Sequence, residues 1–151
     1  MGYTHYWTHT KALSSDEWTR LETALKAIIH TARQDGLALS MDDGTTPISA
    51  HEALTGAVRT NAAGLHLFRI NGLDPDACET FSLYQDTPMH DGGFDFCKTR
   101  QLPYDTVVTA ILSVAESWFP DHIEVSSDGA PEDWTEGLDL ARRALPAQAD
   151  S

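Results

Sequence analysis

The sequence predicts one α+β domain in which about three helices pack on a mostly antiparallel sheet. The chain has 151 residues, a length typical of a single domain. Stretches that alternate apolar and polar residues, as strands do, are interspersed with stretches that carry apolar residues at helical spacing. Two of the strand-like stretches are neighbours separated by turn residues, as in a hairpin. We expect residues 1–145 to form the domain and residues 146–151 to be a frayed tail.

The N-terminal region predicts a strand followed by a helix. Aromatic and polar residues alternate over 3–7, which favours a strand. Ser14 and Glu17 have the spacing of a capping box, and apolar residues then recur at helical spacing over 18–32. Gly36 is expected to end this helix, because glycine readily adopts the left-handed conformation at a helix C-terminus.

The middle of the chain predicts a hairpin. Residues 65–70 and 78–84 read as two antiparallel strands, and Asn-Gly at 71–72 and Asp-Pro at 74–75 are turn signals. The stretch 37–64 shows no clear periodicity, and turn residues mark its first part. Within it, residues 50–59 are predicted to form either a short helix or part of a long loop.

The C-terminal half predicts a strand, a helix, a second strand and a last helix. The first strand covers 94–97, and the helix begins near Pro103 and ends before Pro120. The second strand covers 123–126, and Pro131 opens the last helix. This order completes the α+β pattern.

Apolar periodicity also assigns faces to these elements. Phe94 and Phe96 alternate with polar residues, and Tyr104 begins the apolar stripe of the following helix. We therefore expect all three rings in the core. The same helix should present Asp105 and Thr109 to solvent on its polar face.

Charge excludes several functions. The net charge is -13, which disfavours direct binding to nucleic acid or to an acidic membrane surface. No apolar run approaches the roughly 20 residues that span a bilayer, and the N-terminus lacks the pattern of a secretory signal. We therefore expect a cytoplasmic protein whose two cysteines, Cys78 and Cys97, are reduced. From Glu116 to Asp139 there are eight acidic residues and no base, and this stretch is a candidate protein-binding face.

Several motifs together resemble a known family. They are MGYTHYW at the start, CETF at 78–81, FDFCKT at 94–99, PYD at 103–105 and EVSSDG at 124–129. The chain resembles a family of small proteins encoded by tailed phages, prophages and bacterial genomes. The resemblance implies a phage or prophage setting and no particular activity.

Catalytic candidates can be drawn from these motifs. Cys97 beside Lys98 would act as the nucleophile with His5 or His90 as its base, and Asp95 with His5 is the alternative. A triad of Ser126, His5 and Asp105 is a further combination, although no G-x-S-x-G turn supports it. No C-x-x-C pair or helical H-x-x-x-H pair is present, so we predict no metal site and no other cofactor.

A binding site for a small anionic, nucleotide-like ligand is the alternative for the same region. Lys98 and Arg100 are the only bases between Arg69 and Arg142, and they precede a helix N-terminus, which favours anions. The predicted ligand-binding residues are Lys98, Thr99, Arg100, Tyr104, Asp105, Ser126, Ser127 and Asp128. The structural alternative is a salt-bridge and capping cluster of Asp95, Lys98 and Asp105.

Three functions follow from these observations. The first is a binding protein without enzymatic activity, which acts on a host protein or sequesters the anionic ligand. The second is a small enzyme that uses Cys97 or Asp95 with His5. The third is an acidic mimic of nucleic acid that blocks a DNA-binding host protein, whose complex would weaken steeply with salt. We expect the first.

Overall fold

The computed structural model describes residues 3–40, 58–60, 66–85 and 93–145. Within these ranges the protein is α+β, and all of its strand pairs are antiparallel. The strands are β1 Thr4–His9, β2 Leu39–Ser40, β3 Val58–Thr60, β4 His66–Gly72, β5 Phe81–Tyr84, β6 Phe94–Lys98 and β7 Ile123–Ser127. The helices are α1 Ser15–Gln34, α2 Asp105–Trp118 and α3 Thr135–Ala144, with a 3₁₀ turn at Pro131–Trp134. The predicted fold class is confirmed, and the predicted tail lies outside the described residues.

The first sheet has three strands in the order β6-β1-β7. In its register His5 lies between Cys97 and Ser127. Residues directly opposed in antiparallel strands point to the same side, so this row belongs to one face. That face also carries the buried residues Trp7 and Ile123, which pack in the core with the helices. We call it the inner face and the opposite side the outer face.

The second sheet is built around β4, which pairs with β2, β3 and β5. The predicted hairpin corresponds to β4 and β5 and is confirmed. The turn predicted at 71–72 is wrong, because β4 continues to Gly72 and pairs there with Leu39. This partner is distant in sequence, so the local Asn-Gly signal could not reveal it. Of the stretch 37–64, residues 41–57 and 61–64 lie outside the described part.

Glu79 links the two sheets. Its backbone N–H donates to the carbonyl of Lys98 at 3.2 Å, and its Oε1 accepts from the Lys98 N–H at 2.7 Å. The hydroxyl of Tyr104 donates to the Glu79 carbonyl at 2.7 Å. Glu79, two residues before β5, therefore extends the hydrogen bonding of β6 toward the second sheet.

Helix α1 forms as its sequence predicts. Ser14 and Glu17 make both hydrogen bonds of the capping box. The apolar positions from Trp18 to Ala32 are buried in the core, and they include Leu21, Leu25, Ile28 and Ile29. Gly36 has a φ of 89°, the left-handed conformation expected where the chain leaves the helix.

Helix α2 is also confirmed, but its polar face is partly wrong. Asp105 and Thr109 were expected at the surface, yet their exposed fractions are 8% and 1%. Helix α3 packs against this side of α2. Gly137 permits the approach, because a Cβ there would lie 2.0 Å from Thr109 Oγ1. The packing of α3 therefore buries Thr109, whereas the side chain of Asp105 is turned to His5 and Thr99.

The inward face of β6 was assigned incorrectly. Phe94 and Phe96 are 37% and 52% exposed, whereas Cys97 is fully buried. Cys97 lies opposite His5 on the inner face, so the alternation of a strand places both phenylalanines on the outer face. Only Tyr104, at 0% exposed, occupies the core as predicted.

Within the described ranges, none of the helices has the length and apolar character needed to span a membrane.

Candidate functional site

A fully buried histidine lies at the centre of the inner face. His5 is 0% exposed, and its Nδ1 is 2.7 Å from Ser127 Oγ. Its Nε2 is 2.5 Å from Asp105 Oδ1. The three side chains come from the middle strand, the end of an edge strand and the first turn of α2. The fold therefore joins residues that are far apart in sequence into one hydrogen-bonded chain.

Thr99 completes this arrangement. Its hydroxyl donates to Asp105 Oδ1 at 2.6 Å, and the residue is itself fully buried. Its backbone N–H donates to the carbonyl of Tyr3 at 3.1 Å, which fixes the chain as it leaves β6. We call Thr99, Asp105, His5 and Ser127 the His5 cluster.

The hydrogen bonds of the cluster favour one tautomer of His5. With the proton on Nε2, the ring donates to the carboxylate of Asp105 and Nδ1 accepts the hydroxyl proton of Ser127. Ser127 Oγ in turn accepts from the backbone N–H of Gly129 at 3.0 Å. The order serine, histidine, carboxylate is that of a catalytic triad, although the two ring nitrogens have exchanged partners.

Aromatic rings enclose the imidazole. Tyr3 and Trp134 approach its ring edge-on, with centroid distances of 5.0 Å and 5.1 Å. Burial, and then the negative charges of Asp105 and Asp133, raise the pKa of Tyr3 to about 12. Because His5 is fully buried, the hydrogen bonds of the cluster lie in a medium of low dielectric constant, which strengthens them.

Two surface cavities reach opposite ends of the cluster. A cavity of about 260 Å³ contains Ser127 in its wall, beside Val125, Ala130, Pro131 and Trp134. A second cavity, of about 340 Å³, contains Asp105 in its wall and is strongly acidic. The remaining acidic residues that line it are Glu132, Asp133 and Glu136. The serine end thus borders a cavity that is apolar apart from Ser126 and the carboxylate of Glu116, and the aspartate end borders an acidic one.

The outer face of the same sheet has a different character. Phe94, Phe96 and Lys98 of β6 all point outward and are exposed. Tyr6 of β1 lies opposite Phe96 and stacks on Phe94 with a centroid distance of 6.1 Å. Phe94 and Phe96 are also 6.1 Å apart. We call Tyr6, Phe94 and Phe96 the aromatic face.

The β7 side of the outer face is polar. Ser126 lies opposite Tyr6, and Glu124 lies opposite Thr8 one row away. Asp128 Oδ1 accepts from the Tyr6 hydroxyl at 3.0 Å, and this hydrogen bond raises the pKa of Tyr6. The aromatic face is therefore flanked by two carboxylates on one side and Lys98 on the other.

The structure divides the predicted ligand-binding residues between these regions. Thr99, Asp105 and Ser127 belong to the His5 cluster, whereas Lys98, Ser126 and Asp128 lie on the side of the aromatic face. Tyr104 is buried and donates to Glu79. Arg100 is exposed and has a φ of 56°. These eight residues therefore do not line one common cavity among the described residues.

The three predicted catalytic residues, Cys97, Asp95 and His5, lie in different environments. Cys97 is buried, and burial, followed by the charge of Glu79, strongly raises the pKa of its thiol. A protonated, enclosed thiol is a poor nucleophile, so the structure disfavours that role. Asp95 lies opposite Trp7, and its Oδ1 accepts from the backbone of Phe96 at 2.8 Å. His5 instead contacts Ser127 and Asp105, and His90 lies outside the described residues.

Two of the predicted groupings need correction. In the triad combination, Ser126 is on the outer face, and Ser127 is the serine that contacts His5. Strand parity signals this, because buried Ile123 requires every second residue of the strand to face inward. In the salt-bridge cluster, Asp105 is bound by His5 and Thr99, not by Lys98.

Trp134 was not singled out from the sequence. It follows Pro131 in the 3₁₀ turn, and its place beside His5 results from long-range packing that has no local signal.

In the described part of the chain, no group of three or more His, Cys, Asp or Glu side chains has an arrangement that would hold a metal ion. Comparison of the chain with models of protein families, with curated proteins and with solved structures produced no match.

Proposed function

We propose that this is a binding protein that engages a basic protein partner through its aromatic face. The observation that carries the proposal is the exposure of Phe94 and Phe96, 37% and 52%, on neighbouring positions of one sheet face. Clustered exposed aromatic rings are characteristic of interaction surfaces, because apolar area of this kind is ordinarily buried. The resemblance to phage and prophage proteins points to a host protein, met in the cytoplasm, as the partner.

Aromatic rings can supply much of the binding energy when a partner protein covers them. Burying a phenylalanine side chain fully is worth about 1.5–3 kcal/mol, and aromatic residues are enriched among the residues that dominate binding energy. Tyr6 stacks on Phe94, and the ring of Phe94 in turn lies beside that of Phe96. The rings are therefore held in place before binding, which reduces the entropy lost when a partner docks.

The shape of the surface favours a protein over a small molecule. The aromatic face spans two adjacent strands of one sheet. Small-molecule sites are concave and enclose most of the ligand, whereas sheet faces present a broad surface. A partner protein can cover all three rings at once.

Charge specifies the partner further. Glu124 and Asp128 border the aromatic face, and they belong to the stretch from Glu116 to Asp139 that holds eight acids and no base. Together with the net charge of -13, this surface would attract a basic protein and speed its association at low salt.

Capture with matched variants tests the proposal. The wild-type protein, a Phe94→Ala/Phe96→Ala variant and Leu138→Ala are immobilised and exposed to host-cell lysate. Leu138 is the control, because it is an exposed apolar residue, 45% accessible, on α3. We expect the wild type and Leu138→Ala to retain the same basic proteins, and the double variant to lose them.

The retained proteins should also elute as salt is raised from about 50 to 500 mM, because exposed charges are screened at high ionic strength. Retention by the double variant, or no specific retention by the wild type, would refute the proposal.

A nucleotide is a second candidate ligand for this surface. Lys98 follows Phe94 and Phe96 on the same side of β6. The base of a nucleotide would therefore stack on a phenylalanine ring while its phosphate contacts Lys98. A thermal-shift titration with nucleotides, on the wild type and Lys98→Ala, tests it. Stabilisation of about 2.7 kcal/mol is expected at a hundredfold excess over Kd. An unchanged wild type would exclude this candidate.

A further inference from the structure

We propose that Ser127 is a nucleophile activated by His5, and that the cavity beside it binds a neutral carboxylic ester that the protein hydrolyses through an acyl-serine intermediate. The inference is independent of the binding function, because it concerns the inner face and the β7 edge. It rests on the geometry of the His5 cluster and on the position of the cavity.

The first argument is the hydrogen-bond geometry. Ser127 Oγ lies 2.7 Å from His5 Nδ1, within the range for proton transfer to a general base. Asp105, at 2.5 Å on the other side of the ring, would stabilise the imidazolium that forms. Thr99 holds that carboxylate in place. Each element of a serine nucleophile, its base and the group that orients the base is present.

The second argument is access. Ser127 is only partly buried, and it lines the cavity of about 260 Å³. Among the described residues β7 is an edge strand, so no other described strand of this sheet covers one side of its backbone. The cavity wall includes Val125, Ala130, Pro131 and Trp134, which suit an apolar acyl group.

The third argument concerns the negative charge that develops on the carbonyl oxygen. The N–H of Asp128 donates to β1 at 2.9 Å, whereas the N–H of Val125 turns outward to Glu116 Oε2 at 2.8 Å. Because these directions alternate along an antiparallel strand, the N–H of Ser127 also points to the outer edge. A backbone N–H beside the nucleophile is a suitable donor to the oxyanion.

Glu116 also limits the substrate. Its carboxylate lines the same cavity as Ser127 and occupies the Val125 N–H. A second carboxylate there would be repelled, so the site should accept neutral esters and reject anionic ones. The negative charge should also help to expel the carboxylate product.

The reaction balances as follows. Ser127 Oγ attacks the ester carbonyl carbon while its proton passes to His5 Nδ1. The bond from carbon to the alkoxy oxygen then breaks, and that oxygen takes the proton from Nδ1 and leaves as an alcohol. Water attacks the acyl-serine, gives a proton to Nδ1, and the proton returns to Ser127 Oγ as the acid departs. The sum is ester plus water to acid plus alcohol.

The test uses p-nitrophenyl acetate as the substrate and intact-protein mass spectrometry as the second readout. The wild type should release p-nitrophenol in a burst equal to the protein concentration and gain one acetyl group, which peptide mapping locates at Ser127. Ser127→Ala should show neither. Ser82→Ala is the control, because Ser82 lies on a strand of the other sheet, and it should behave as the wild type.

One further variant and a check of folding separate catalysis from folding. His5→Gln should slow acetylation by about 10²–10⁴-fold, the usual contribution of a general base. Circular dichroism must show that Ser127→Ala is folded. If it is not, labelling of the wild type by a fluorophosphonate probe, with the modified residue mapped, decides the question. No burst, or a label at a residue other than Ser127, would overturn the proposal.

Discussion

The inner and outer faces of the three-stranded sheet use alternate residues of the same strands in opposite ways. On the inner face, His5 is polar and fully buried, so its hydrogen bonds must come from the protein, and Ser127 beside it is partly buried. On the outer face, Phe94 and Phe96 are apolar and lie in water. Both arrangements run against the usual preference for apolar residues inside and polar residues outside. Residues placed against that preference are the ones for which a functional explanation is needed.

The largest effect should come from removing the main apolar residue of the inner face. Trp7 is 1% exposed and its ring packs on Phe81, with centroids 5.1 Å apart. Trp7→Ala should lower the free energy of unfolding by about 3–5 kcal/mol, because it leaves a large cavity. Urea denaturation followed by circular dichroism measures this. A loss below about 1 kcal/mol would mean that the inner face is not a packed core.

A substitution in the polar part of the inner face should lower the free energy of unfolding nearly as much. Asp105→Ala removes the acceptor of His5 Nε2–H and of the Thr99 hydroxyl. Each buried donor without a partner costs about 1–3 kcal/mol, so we expect a loss of about 3 kcal/mol in urea denaturation. Asp121→Ala is the control, because Asp121 is exposed, and it should change stability by less than about 0.5 kcal/mol. Equal effects of the two substitutions would show that the His5 cluster contributes little to stability.

A smaller effect should appear at alkaline pH. Burial raises the pKa of Tyr3 from 10.0 to about 12, so the folded state retains the proton that the unfolded state loses. Stability is unaffected below pH 10 and falls as the pH rises from 10 toward about 12. Buried Tyr104 and Cys97 also have raised pKa values and act in the same direction.

The free energy of unfolding of Tyr3→Phe should therefore fall less steeply with rising pH than that of the wild type over this window. Urea denaturation at several pH values measures both slopes. Identical slopes would indicate that the Tyr3 hydroxyl titrates normally in the folded protein.

The smallest effect is expected on the outer face. Phe96 is 52% exposed, so Phe96→Ala removes few packing contacts and should change the free energy of unfolding by less than about 1 kcal/mol. The same denaturation experiment checks this. A loss comparable to that of Trp7→Ala would show that the aromatic face is a part of the core and not a docking surface.

The sequence predicted those parts of the fold that depend on local pattern. The capping box at Ser14 and the apolar stripe of α1 are properties of a few neighbouring residues, and both were found. The face of β6 was not predictable in this way. The alternation in Phe-Asp-Phe-Cys shows that two sets of residues point in opposite directions, but only the packing of the helices decides which set is buried.

The candidate site was predictable only in part. Thr99, Asp105 and Ser127 were each selected for binding and His5 for catalysis, but their meeting depends on the strand order β6-β1-β7. Strand order is set by long-range pairing and leaves no mark on any short stretch of sequence. Trp134 shows the same limit, since it reaches His5 only because the 3₁₀ turn folds back over β1.

The hydrogen bonds made by Glu79 determine which parts of the protein unfold together. Two hydrogen bonds join Glu79 to the backbone of Lys98, and a third joins the hydroxyl of Tyr104, at the start of α2, to the carbonyl of Glu79. These three hydrogen bonds connect the two sheets along one seam. Amide protons on both sides of this seam should then exchange with deuterium at matching rates, as members of one cooperative unit. A fluctuation that detaches β6 would also detach the second sheet. The aromatic face and the hairpin of β4 and β5 should therefore unfold together.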